Sequence, residues 1–393
     1  MNFLISSKFN SSVYGVFNQV YAIYLVGSQF AVIGIHLSVL KHTAEFSHSS
    51  DTTRIILQSG FLLSMACSLV TIFILFFSRD LIGDLLKSDS VSTGIASMLP
   101  ALFFFSINKV SLAYLNGLSR IKEYSIFQAL RYILIITSLL GIIFLKVPPI
   151  YLPAIFSSAE LFVFLFLFIR YKELRHFSHP GELKKWAKVH LSFGARSFLS
   201  NVLLDMNTRA DVLILGILNS DRVVGIYSLA VILIDGLFQI PAAFRVNYSP
   251  IVVNLIKEQK WDSLRRLVRT GKRITYGMMV LIGIACAGFF PLFISIYGKN
   301  SDFQASYLPF LILLVSLVIC SGYLPFSNIV LQAGYPATYT FMIFIQVAMN
   351  ITLNSIFASK YGAMGSAMAT GMAMIFLIPL VKFFSKKKID FAL

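Results

Sequence analysis

Long, unbroken apolar runs alternate with short polar segments along almost the whole chain. Eleven runs occupy residues 13–40, 54–78, 91–116, 122–146, 149–170, 191–218, 222–247, 273–297, 303–332, 336–358 and 362–385. Each approaches or exceeds the roughly 20 residues that a helix needs to cross a hydrocarbon core about 30 Å thick. Helices and closed barrels are the structures that satisfy every backbone group in lipid. Barrel strands would alternate in polarity over about ten residues, and these runs are longer and continuously apolar. The pattern predicts an all-α integral membrane protein with about eleven spans.

One run departs from simple apolarity. Residues 191–219 read LSFGARSFLSNVLLDMNTRADVLILGILN and carry Arg196, Asp205, Arg209 and Asp211. An ionised group at bilayer depth costs roughly 2.5–3.5 kcal/mol on insertion scales, so such groups face a partner or a water-filled cavity. Asp205 and Arg209 stand at i, i+4, the spacing for a pair along one helix face. Two readings stand side by side: a neutralised pair that joins helices, or the lining of a polar pathway. Under the second, Arg209 would leave Asp205 for an anionic cargo, and Asp205 would take a proton. Asp211, two residues on, points elsewhere and is expected to matter less.

Further ionisable residues fall in or near other runs: Lys109, Arg131, Glu160, Asp235 and Arg245. Arg131 lies deep. Lys109 and Arg245 are nearer ends, within snorkelling reach of water. Glu160 and Asp235 have no evident partner in sequence. Each is a candidate for protonation at depth, because burial favours the neutral carboxyl, and each reads equally as half of a cross-helix hydrogen bond. Asn350 and Asn354 share one helix face, as amides that bridge helices do. Gly362, Gly365, Ala369 and Gly371 form a small-residue face suited to close helix packing. Pro241, Pro291, Pro309 and Pro325 are expected to bend or break spans.

Composition agrees with the pattern. The 393 residues are 57% hydrophobic and 13% charged, with mean hydropathy +0.79; a soluble domain carries about 25% charged residues. The net charge of +16 raises nucleic acid as a partner, but the cations sit in short loops between spans. With the C-terminal KFFSKKK placed inside, the inside segments hold about three times as many Lys and Arg as the outside ones, as the positive-inside rule expects. The C-terminus is therefore predicted cytoplasmic and the N-terminus external. Cys67, Cys286 and Cys320 lie in apolar runs and suggest no disulfide framework. MNFLISSKFN has no signal-peptide core. His176 and His179 have the wrong spacing for a helical metal pair. No zinc pattern, phosphate loop, nucleophile elbow or exposed carboxylate pair appears, so no catalytic residue, metal or cofactor is expected.

A weak internal repeat organises the chain. FNSSVYGVF at 9–17 resembles LNSDRVVGIY at 218–227, which aligns Gly15 with Gly225. YLNGLSRIKEYSIFQ from 114 resembles VLQAGYPATYTFMIF from 330, which aligns Gly117 with Gly334. The offsets, near 210 residues, suggest a duplication. Shifting the second half back leaves the first half about one span short at its start, so the expected organisation is five helices in 1–170, a cytoplasmic linker at 171–190 and six helices in 191–393. The second long basic segment, 250–273, places Trp261, Leu264 and Val268 on one face and Lys and Arg on the other. It reads either as an interfacial helix on an anionic leaflet or as a solvated basic loop.

Two motifs carry a family resemblance. One is the N-x-R-x-D-x-x-x-L-G run at Asn207, Arg209, Asp211 and Gly216, followed by VVGIYSLA at 223–230. The other is NITLN at 350–354, followed by YGAMGSAMAT at 361–370. In order and spacing they resemble the polysaccharide flippases, the O-antigen translocases of the multidrug/oligosaccharidyl-lipid/polysaccharide exporter superfamily. The resemblance implies a V-shaped pair of six-helix bundles working by alternating access in the bacterial inner membrane. It implies transfer of undecaprenyl-pyrophosphate-linked repeat units of O-antigen, and so a role in lipopolysaccharide biosynthesis. The polysaccharide polymerase and chain-length regulator of that pathway would be partners, and nucleic acid would not. It also implies a cavity lined by cations, for which Arg131, Arg209, Lys109, Arg196 and Arg245 are the residues available. The chain departs from the family pattern in the helix expected before the first run. A cation-coupled drug exporter would favour acidic and aromatic walls. A polymerase or glycosyltransferase would need a large outer loop, and a purely structural scaffold leaves the 205–211 cluster without a role.

Overall fold

A computed structural model describes residues 1–171, 173, 180–297 and 301–393, apart from the side chains of residues 197, 199–201, 204, 205, 296, 297 and 301. Among the described residues the chain is helical and contains no strand. The helices are α1 (Asn2–Lys8), α2 (Ser11–Val32), α3 (Ile35–Glu45), α4 (Ser50–Leu85), α5 (Asp89–Gly117), α6 (Ile121–Phe144) and α7 (Ala154–Arg170). There follow α8 (Pro180–Leu218), α9 (Asp221–Lys257), α10 (Trp261–Tyr297), α11 (Tyr307–Ser321), α12 (Ile329–Gln332) and α13 (Pro336–Ile389). Seven described helices are long and apolar enough to cross a membrane, and up to eight if the bent pair α2–α3 is one span. Their outer faces are strongly apolar: on α4, Phe73 and Phe77 are 65% and 68% exposed. Such faces belong in lipid.

Two of the predicted spans are interrupted. The run 13–40 bends by 49° between α2 and α3, where Ile33 and Gly34 take positive φ of 44° and 69°. Both residues leave the right-handed helix there, which ends one hydrogen-bond ladder and starts another. The run 303–332 is broken after Ser321: a 3₁₀ turn at Leu324–Phe326 and the short α12 replace its second half. The Tyr276 ring occupies the space beside Gly322, 2.3 Å from where a Cβ would stand. Gly362 has φ 54° and ψ −129° inside α13, so it separates the two runs predicted on either side of it. It acts as a hinge position that only glycine takes without strain, not as part of a packing face.

Two compact units emerge. One comprises Gln19–Asp205; the other comprises Asn2–Asn18 with Met206–Leu393. In the first unit α3, α4, α5 and α7 enclose Ile35, Val39, Ile56, Leu57, Val110 and Val163. The later part of the predicted linker is the start of α8, beginning at Pro180. His190 is buried there, its Nδ1 2.9 Å from Ser38 Oγ and its Nε2 3.1 Å from the Ile56 carbonyl. His176 and His179 lie outside the described residues.

In the second unit α9, α10, α12 and α13 enclose Val252, Leu264, Val268, Phe326, Val381 and Phe384. This corrects both readings of the basic segment 250–273. It is the end of α9, a turn, and the first turns of α10. Leu264 is fully buried and Val268 nearly so, and Trp261 lies against Phe391, ring centroids 6.2 Å apart. The apolar face is thus spent on α13 and the C-terminal residues, not on a membrane surface.

Candidate functional site

In the first unit, α6 delivers Arg131 and α7 delivers Glu160. Arg131 Nε lies 2.7 Å from Glu160 Oε1, and the two side chains are 12% and 3% exposed. Arg131 Nη2 donates to Glu160 Oε2 at 3.3 Å and Nη1 to Gln128 Oε1 at 2.9 Å. Asn108, on α5, donates to Glu160 Oε2 at 2.8 Å and also to the Glu160 carbonyl. Glu160 therefore has the partner that sequence did not reveal. The carboxylate is gripped from two helices, as a buried charge must be to offset its lost hydration. The guanidinium carbon of Arg131 and the ammonium of Lys109 stand 5.3 and 5.4 Å from the same Phe105 ring centroid. Tyr24 packs on Phe105 and stacks on Phe156. Two cations and an aromatic wall thus share one locality.

The second unit holds two adjoining polar groups. Arg209 on α8 donates from Nη2 to Asp235 Oδ2 on α9 at 3.0 Å. Arg209 is 13% exposed and Asp235 is 43% exposed. The partner found for Arg209 is therefore Asp235. The side chain of Asp205, the partner the i, i+4 spacing predicted, lies outside the described residues. Two residues further along α8, Asp211 is buried. Tyr227 donates its hydroxyl to Asp211 Oδ2 at 2.5 Å, Thr370 donates to the same oxygen at 3.3 Å, and the Val212 amide donates to Oδ1 at 2.8 Å. Asn354 donates to Thr370 Oγ1 at 3.3 Å and to Asn350 Oδ1 at 2.7 Å; Asn350 in turn donates to the Asn207 carbonyl at 3.4 Å. Arg209 and Asp211 are about 200° apart around the helix. One consequently meets a partly open carboxylate while the other joins a closed network linking α8, α9 and α13. Asp211 is the hub of that network.

The remaining predicted residues are dispersed. Arg196 is exposed on α8. Arg245 is half-buried on α9, close enough to act electrostatically on Tyr339. Asn350 bridges α13 to α8, while Asn354 joins the two halves of α13 on either side of Gly362. Gly371 packs tightly, a Cβ there lying 2.4 Å from Ser316 Oγ, and a Cβ on Gly365 would lie 2.0 Å from the Phe357 carbonyl oxygen. Sequence reasoning missed Asn108, Phe105, Tyr227 and Thr370. The last two lie inside the quoted runs VVGIYSLA and YGAMGSAMAT, and a hydroxyl in an otherwise apolar span was the available signal. Among the described residues, no three His, Cys, Asp or Glu side chains gather where they could hold a metal ion.

The all-helical fold is similar to that of solved transporters of the multidrug/oligosaccharidyl-lipid/polysaccharide (MOP) superfamily. An inward-facing multidrug resistance transporter of the MATE family is similar over 99% of this chain and 93% of its own, with TM-score 0.84 and 14% identity. The lipid II flippase MurJ, in an inward closed conformation, is similar over 98% and 87%, with TM-score 0.70 and 17% identity. A MOP superfamily transporter from Pyrococcus furiosus, described as having a binding pocket of reverse polarity, is similar over 96% and 88%, with TM-score 0.60 and 14% identity. Residues 9–236, more than half of the chain, match the model of a family described as polysaccharide biosynthesis protein, and the chain belongs to that family. No curated protein sequence matches it.

Proposed function

We propose that the chain is a flippase, without covalent chemistry, for undecaprenyl-pyrophosphate-linked saccharide units such as those of O-antigen. It would move them by alternating access from the cytoplasmic to the outer leaflet of a bacterial inner membrane, with its own C-terminus inside and a polymerase of the same pathway downstream. The observation that carries this reading is the Arg209–Asp235 pair, set at depth in a member of the polysaccharide biosynthesis family. A pyrophosphate carries at least two negative charges, and a guanidinium offers its oxygens a planar, bidentate partner. With cargo absent, the carboxylate keeps Arg209 from being an unpaired buried cation.

The two pairs differ in how readily they yield. Glu160 is 3% exposed and Asn108 also donates to it. Asp235 is 43% exposed and accepts from Arg209 Nη2 at 3.0 Å. Arg209 is therefore the residue that changes partner, from Asp235 to phosphate. The exchange then runs between α8 and α9. Cationic drugs, the cargo of the competing reading, would meet the guanidinium with like charge.

A surface-glycan complementation assay at matched expression tests this. Arg209→Ala should abolish export and Arg209→Lys should retain part of it, since lysine keeps the charge but not the fork. Full activity of Arg209→Ala would reduce the residue to a link between helices. Drug export by the wild type without any glycan phenotype would favour the exporter.

A further inference from the structure

The basic end of the second unit contains a cation cluster that the buried pairs do not use. Lys272 on α10 places its Nζ 3.7 Å from the centroid of the Tyr323 ring, and Lys382 on α13 places its Nζ 5.1 Å from the same centroid. Both ammonium groups are close enough to act electrostatically on the Tyr323 phenol. Two cations thus converge on one neutral acceptor. The ion pairs of these segments among the described residues are Lys260–Glu258 and Arg265–Asp262, and none reaches Lys272 or Lys382 within 4 Å.

The cluster is held from behind. A Cβ on Gly271, next to Lys272, would stand 2.8 Å from the Phe326 ring, so α10 lies tight against the turn that follows Tyr323. Tyr276 donates to the Ile319 carbonyl at 2.9 Å, which fixes the end of α11 just before that turn. Val381 and Phe384, flanking Lys382, are core residues. The three side chains therefore start from fixed backbone positions, unlike lysines on a mobile loop.

Its level in the bilayer is also marked. Along α10 the exposed residues change from Arg265, Arg266, Arg269 and Arg273 to Ile274, Met278, Val280 and Leu281. Lys272 stands at that boundary. On α13, Lys382 precedes exposed Phe383 and the run Lys386–Lys388. A change from exposed cations to exposed apolar side chains is where lipid headgroups lie.

We propose that Lys272, Lys382 and Tyr323 form a binding site for the phosphate group of a membrane lipid. One phosphate bridges the two ammonium groups, each contributing a charge-assisted hydrogen bond, and the phenol hydroxyl donates a third. The lipid tail then lies along the apolar faces of α10 and α13 beyond Ile274 and Phe383. The phosphate is either the diester of a bilayer phospholipid or the pyrophosphate of a lipid-linked saccharide. The second source rests on the flippase reading; the first stands without it.

The test uses the full chain in phosphatidylcholine nanodiscs, with either phosphatidylglycerol or undecaprenyl pyrophosphate added, and reads bound lipid by native mass spectrometry. Lys272→Gln with Lys382→Gln should weaken retention roughly 10- to 30-fold, from about tenfold or less per lysine near a headgroup. Lys272→Arg with Lys382→Arg should retain it. Arg266→Gln with Arg269→Gln, which removes the same charge from the same end, should weaken it less than about threefold if the effect is local rather than diffuse. Should the double glutamine variant not fold, Lys382→Gln alone, at an exposed side chain, should weaken retention about threefold or more. A loss with phosphatidylglycerol alone assigns the site to bilayer lipid, a loss with the pyrophosphate alone assigns it to the saccharide carrier, and a loss with both assigns it to the shared phosphate. Equal loss in the arginine control, or no loss with either lipid, overturns the proposal.

Discussion

Gly15 of α2 and Gly225 of α9 occupy reciprocal positions. A Cβ on Gly15 would stand 1.8 Å from the carbonyl oxygen of Asp221, and a Cβ on Gly225 would stand 1.8 Å from the carbonyl oxygen of Ser11. Ser11 and Asp221 are themselves separated by the same offset as the two glycines, so each helix presents equivalent residues to the other. The repeat seen as two similar short segments is here a two-fold-like crossing of helix starts. Asp302 ties the same ends together, accepting from Ser11 Oγ at 2.8 Å and from Arg222 Nη2 at 2.6 Å.

Backbones that touch leave no room for a side chain. Gly15→Leu or Gly225→Leu should force α2 and α9 apart and lower the unfolding temperature in detergent, for a cost of about 1–3 kcal/mol or more. Gly141→Leu, where a Cβ would meet nothing within 4 Å, should change it little. Equal effects at the three sites would show that the crossing is loose.

The Arg131–Glu160 pair should reveal itself by asymmetry. Glu160→Ala leaves a guanidinium that is 12% exposed without its main partner, and should destabilise by about 3–5 kcal/mol. Glu160→Leu with Arg131→Met removes both charges and should recover most of that loss. Thermal unfolding of the two variants decides it, and a double variant less stable than Glu160→Ala would contradict the pairing.

The closed network around Asp211 should resist change more than the open pair. Tyr227→Phe removes a donor to Asp211 inside a buried site, where an unmet acceptor costs about 1–3 kcal/mol, more if charged. Asp235→Asn, at a side chain that is 43% exposed, should cost less stability yet impair glycan export more. Thermal unfolding and the complementation assay, read on both variants, separate a packing role from a transport role; the opposite ranking would exchange the two assignments.

Orientation follows from the excess of Lys and Arg on one side. A cysteine placed at Lys260, in a background lacking Cys67, Cys286 and Cys320, should react with an impermeant maleimide only after the cell is opened. Labelling of intact cells at that position would reverse the topology.

The chain's helical, membrane-spanning character was legible in its sequence. In lipid each backbone group must be satisfied within its own segment, so local apolar pattern is enough to specify helix. The low exposure of Arg131, Glu160, Arg209 and Asp211 was legible for a related reason, because a charge inside an apolar run turns to a partner or a polar cavity rather than to lipid. Partner choice was not. Arg209 meets Asp235 on the next helix, and Asp211 finds Tyr227 and Thr370 on two other helices. The breaks at Ile33–Gly34 and beside Gly322 were likewise hidden in runs that look continuous. Which face of one helix meets which face of another depends on rotation and register. Those are set by contacts between residues far apart in the chain, such as Gly15 against Asp221 and Gly225 against Ser11, and only the assembled tertiary structure brings such residues together.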